Sequence, residues 1–117
     1  MTVKEFYDSV GASYDEVISR LLKDERIVKY LNMFSKGTDF EDMENNLLAE
    51  KYEDAFRNIH SVKGMCLNLG ITKLAAISSD LCEELRNGKP DKDISDMVKA
   101  VKEEYMFTLA KIGEIEA

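Results

Sequence analysis

A single histidine, His60, stands in a chain of 117 residues, with Arg57 three positions before it and Lys63 and Gly64 three and four positions after it. An imidazole can act as nucleophile, proton carrier or metal ligand, and its neighbours decide which. One histidine with two cysteines that are not spaced as CxxC, Cys66 and Cys82, makes a poor zinc site. No Ser-His-Asp set can be assigned, and neither a GxxxxGK[ST] nor a GxGxxG loop is present to cradle a nucleotide phosphate. What remains is a ring with a cation one turn away and an empty position beside it. Glycine inside a helix costs about 1 kcal/mol relative to alanine and packs against nothing. Vacant space at Gly64 suits a partner that brings its own reacting atom up to the imidazole.

The element that carries these residues is legible from its apolar spacing. Tyr52, Ala55, Phe56, Ile59, Val62, Cys66 and Leu69 recur every three or four positions and predict a helix over about 51–69. His60 falls beside that stripe, on a face shared with Phe56, Arg57, Lys63 and Gly64. Gly70 follows where the period stops and reads as a helix C-cap.

His60-Ser61-Val62-Lys63-Gly64, followed by Asn68-Leu69-Gly70, resembles the HxxKG…LG signature of histidine-containing phosphotransfer (HPt) domains. HxxKG is short enough to recur by chance, and a lone helical histidine usually does nothing special. Here the motif sits on an amphipathic helix of suitable length, and the likeness in length and helical punctuation runs from about Tyr14 to Ile115. The resemblance implies an all-α fold, an antiparallel up-and-down four-helix bundle with the active histidine exposed on one long helix.

It also implies a phosphocarrier of a two-component phosphorelay. His60 would accept a phosphoryl group from a receiver-domain aspartate and pass it to another receiver, without catalytic turnover of its own. The implied partners are response-regulator receiver domains and a hybrid sensor histidine kinase. No cofactor or metal is expected on this chain, Mg²⁺ being supplied by the receiver.

Attack on phosphorus needs an unprotonated ring nitrogen, and an ordinary imidazole, with a pKa of about 6.5, is largely neutral at pH 7. Lys63 is expected to stabilise the phosphoryl oxygens. Arg57 is a second candidate, equally readable as a solvated charge, and Arg86 a weaker one. The family often carries a polar Gln or Glu twenty-two positions beyond the histidine to orient the ring; here that position is Cys82, a poor hydrogen-bond partner, with Ser79 one turn before it as a substitute. That departure supports an alternative, a degenerate HPt adaptor that docks on receivers or kinases without accepting phosphate. A start at Met1 with helical structure almost at once favours a stand-alone bacterial protein over a domain of a larger kinase.

The rest of the chain reads as helices that frame this one. Val3, Phe6, Tyr7 and Val10 predict a short helix stopped by Gly11. Ser13 to Glu16 has the form of a capping box before a helix burying Tyr14, Val17, Ile18, Leu21 and Leu22. Asp24 caps a helix over 24–36 closed by Gly37, and a second box, Thr38 to Glu41, opens one with Phe40, Met43, Leu47 and Leu48 inside. Helices over 72–87 and 93–115 complete the pattern. The expected organisation is one domain over 1–117: residues 1–48 supply covering helices and the first bundle helix, 24–36, and residues 51–115 supply the motif helix and two further bundle helices.

Composition narrows the function. A net charge of −7 argues against nucleic-acid binding, which needs a basic footprint. No run of 18 apolar residues and no signal-peptide pattern is present, so a cytoplasmic protein with no membrane association is expected, as a monomer. The cysteines are expected to be reduced and near the core, and the six methionines to fill gaps in it.

Overall fold

The computed structural model describes residues 1–116 and is all helical among them. In chain order the helices are α1 (Val3–Ser9), α2 (Tyr14–Leu21), α3 (Asp24–Lys36), α4 (Asp39–Leu48), α5 (Tyr52–Asn68), α6 (Thr72–Leu85) and α7 (Ser95–Gly113).

The apolar stripe of α5 is buried along Ala55, Ile59, Val62 and Cys66. It packs most extensively on α6, whose inward residues include Leu74, Leu81, Cys82 and Leu85, and next on α4. The α5 and α6 helices run antiparallel, since Phe56 meets Arg86 while Lys63, two turns on, acts on Cys82, four residues earlier in α6. α7 lies against α6 and α3, and Tyr105 gathers the junction between α3 and α4 by stacking on Phe40 and meeting Phe34 edge-on.

This packing shifts one role. Residues 24–36, expected as the helix that closes the bundle, pack on α1, α2 and α7, whereas α4 lies along α5. Asn58 of α5 fastens that contact, accepting a hydrogen bond from Asn46 Nδ2 at 2.7 Å. Four local expectations also change. Leu22 ends α2 in a left-handed conformation (φ 71°) that turns its side chain out, and it is 68% exposed. Leu48, in the last turn of α4, is 85% exposed. Asp24 is the first residue of α3, not its cap, and accepts a hydrogen bond from the Tyr14 hydroxyl. Thr38 makes no capping bond, because its hydroxyl donates to Asp42 instead. Of the methionines only Met43 is fully buried, while Met33 and Met106 lie at the surface.

The front of the chain is embedded more deeply than a cover. Phe6 and Tyr7 are fully buried, and a capping box between Thr2 and Glu5 starts their helix. The Tyr7 hydroxyl donates to the Leu69 carbonyl at 2.7 Å, tying α1 to the turn between α5 and α6. Gly70, in that turn, has φ of 68°, and a Cβ added there would run into Val17 Cγ2 of α2. Left-handed strain of about 1 kcal/mol adds to that overlap, so Gly70→Ala should destabilise the fold by about 2–3 kcal/mol. Urea denaturation would show it as a lower midpoint, and an unchanged midpoint would refute this account of the turn.

Candidate functional site

His60 lies midway along α5 with its side chain in solvent, on the shoulder of the buried stripe formed by Ile59 and Val62. Side chains on a helix lean toward its N-terminus, which brings the imidazole onto the preceding turn. There it meets Phe56, the two ring centroids 5.8 Å apart and tilted by 44°. The Arg86 guanidinium sits over the Phe56 ring, 5.5 Å from its centroid, and Glu83 accepts two hydrogen bonds from it, at 2.6 and 3.2 Å.

Gly64 lies one turn beyond His60 on the same helix. A Cβ placed there meets nothing within 4 Å, so no packing within this chain demands a glycine. Lys63 is half-buried and leans toward α6, where its charge bears on both Cys82 and Glu83. The Glu83 carboxyl lies below its ordinary range, chiefly through the hydrogen bond from Arg86 and further through the charges of Arg86 and Lys63. The face beside His60 thus holds two cations from two helices, one of them already engaged by a carboxylate.

The other candidates divide. Arg57 is exposed and held by Glu53 and Asp54 at 2.8 and 2.7 Å, on the turn before the histidine. Cys82 is fully buried, and Ser79 is half-buried one turn earlier on α6. Among the described residues no side chain hydrogen-bonds to the His60 ring, so neither Ser79 nor Cys82 is joined to it. Sequence alone makes Arg86 only a weaker candidate, because its rotation relative to the site is not encoded locally; its position over Phe56 is what the structure adds. The i, i+4 spacing of Phe56 and His60 was already visible.

Burial raises the Cys82 thiol, with Lys63 and Arg86 opposing, and pushes Cys66 up to about 12. A folded pKa above the unfolded one gives stability that is complete below the unfolded value, near 9, and is lost as pH climbs toward the folded value. The Cys66 thiol should cost about 1.4 kcal/mol of stability per pH unit within that window. The expected results are a urea midpoint that falls above pH 9, and thiols that react with a disulfide reagent at pH 8 only as the chain unfolds. Rapid labelling of the folded protein at pH 8 would contradict the buried placement.

Among the described residues no cluster of three or more His, Cys, Asp or Glu side chains is arranged to hold a metal ion, and no helix is long and apolar enough to cross a membrane. The family model of the Hpt domain matches residues 36–106, more than half of the chain, spanning α4, α5, α6 and most of α7. The chain belongs to the Hpt domain family. Membership carries a histidine-phosphotransfer role in a phosphorelay, and Hpt domains serve there as phosphocarriers, interacting with receiver domains and kinases. Comparison with curated proteins and with solved structures gives no match. The span matched to the Hpt domain includes all of the site: His60, Lys63 and Gly64 on α5, and Ser79, Cys82 and Arg86 on or just beyond α6.

Proposed function

We propose that this Hpt protein carries phosphate on His60, taking it from the aspartyl phosphate of one receiver domain and delivering it to another. The observation that carries the reading is an exposed imidazole beside an unfilled position, Gly64, on a family-matched helix. In the forward step the neutral Nε2 attacks phosphorus in line. The P–N bond forms as the acyl P–O bond breaks, and the receiver carboxylate leaves with the electron pair. The Nδ1 proton stays on the ring, so no general base is required. Reversal with a second receiver returns the imidazole, which makes the chain a carrier without turnover of its own. Mg²⁺ belongs to the receiver in this scheme.

Lys63 supplies the positive charge that the incoming phosphoryl oxygens meet, and Gly64 leaves room for the receiver's acidic pocket. Arg57 plays the smaller part, because its guanidinium already serves two carboxylates. Two buried free thiols suit a reducing cytosol. A charge-assisted hydrogen bond contributes about 1.5–3 kcal/mol, so Lys63→Ala should slow transfer, or shorten the phosphohistidine lifetime, by about tenfold or more with the fold retained. Unchanged rate and lifetime would reduce Lys63 to a surface cation.

The test of the whole reading is incubation with phosphorylated receiver domains, one at a time. Label that is stable in base and lost in acid supports the carrier. Docking without label supports an adaptor instead.

A further inference from the structure

We propose that Phe56 is the positioning residue for the His60 imidazole, holding the ring by packing, with Arg86 of the neighbouring helix keeping Phe56 in place. The proposal rests on the carrier reading, since it concerns the ring that would accept the phosphoryl group.

An exposed histidine on a helix is underdetermined. Its terminal torsion is broad and nearly two-fold, so a ring flip exchanges Nε2 with Cε1 and can leave a carbon where the attacking nitrogen should be. A partner meeting such a ring finds the attacking nitrogen correctly aimed only part of the time. A hydrogen bond from the adjacent helix would remove that freedom. At the position where such a bond would originate stands Cys82, fully buried and a weak donor.

What the ring does have is Phe56. A centroid separation of 5.8 Å lies within the range where aromatic pairs attract, and the 44° tilt is far from the unfavourable face-to-face arrangement. Phe56 itself is half-buried, packed against the core and therefore not free to swing. Its ring also receives the Arg86 guanidinium, and Glu83 fixes that group's plane through Nε and Nη2. Glu83, Arg86, Phe56 and His60 form one continuous contact from α6 to the reacting ring on α5. Restraint therefore crosses between the helices through an aromatic face and not through a hydrogen bond.

The experiment uses the full chain with Phe56→Leu, Phe56→Tyr and Arg86→Gln. Two readouts are taken: ¹³C relaxation of the His60 ring, and the rate of label transfer from a phosphorylated receiver that labels the wild type. Phe56→Leu should loosen the ring and slow transfer at saturating receiver by about fivefold, the cost of one off-rotamer torsion. The half-saturating receiver concentration should stay within about twofold of the wild type, because docking is untouched. Phe56→Tyr, which keeps the ring, should restore both readouts, and Arg86→Gln should loosen the imidazole in the relaxation measurement. Equal ring order in wild type and Phe56→Leu overturns the proposal, as does a loosened ring with full-speed transfer. Relaxation is read without phosphate, so it still decides the positioning claim where the wild type takes no label, the outcome that overturns the carrier reading instead.

Discussion

His60→Gln should fold like the wild type and take no label from any receiver. The ring is exposed and the aromatic contact found for it is with Phe56, so losing it removes little burial and leaves no polar group stranded. Surface changes of this kind usually alter stability by no more than about 0.5 kcal/mol. No second imidazole exists in the chain to take over. The measurement is acid-labile phosphate on the two proteins after incubation with the same phosphorylated receiver, with helical content and urea midpoint as the control for folding. Undiminished acid-labile label on the variant would remove His60 from the centre of the account.

Gly64→Gln should separate stability from function. A side chain at this position meets open space, and glutamine is a better helix former than glycine, so the urea midpoint should rise by about 0.5 kcal/mol's worth. Transfer should move the other way. The added amide projects one turn from the imidazole, where the proposed reading has a receiver's pocket close, and a displacement of about 1 Å in the reacting groups costs on the order of a hundredfold in rate. Gly64→Ala is the milder companion, with a gain of about 1 kcal/mol and a smaller loss of rate. A chain with a helical but purely architectural histidine would show the gain alone. Transfer by Gly64→Gln at the wild-type rate would therefore count against the steric role of this glycine, whatever happens to the midpoint.

The motif helix was legible before any coordinates because its determinants are local. Its bounds, expected at about 51–69, fall at Tyr52–Asn68, and Ile59, Val62 and Cys66 are buried as their spacing requires. Helix content elsewhere was legible for the same reason. What sequence reasoning missed depends on which surfaces meet. Periodicity marks an apolar face on both α3 and α4 but does not say which of them lies along α5, and Asn46 and Asn58, whose bond helps decide it, look like ordinary polar residues. Hydrophobicity marks Leu22 and Leu48 as core, yet each sits at a helix end where the chain turns away. Thr38 matched a capping pattern, but a hydroxyl has alternatives, and Asp42 took it. At the site, His60, Lys63 and Gly64 fall within about one turn of a single helix, a relation that needs no tertiary knowledge. Arg86 over Phe56 joins two helices through a rotation that no local pattern encodes.

The bond from Tyr7 to Leu69 and the seat of Gly70 against Val17 reach beyond the span matched to the family, which begins at residue 36. A fragment trimmed to that span would leave a carbonyl at the closed end of the histidine hairpin without its phenol, and the left-handed glycine facing water. Fraying would then start at the end of the hairpin that ought to be firmest. The leading third of the protein is a splint, and anyone grafting this histidine into another scaffold has to carry the splint along.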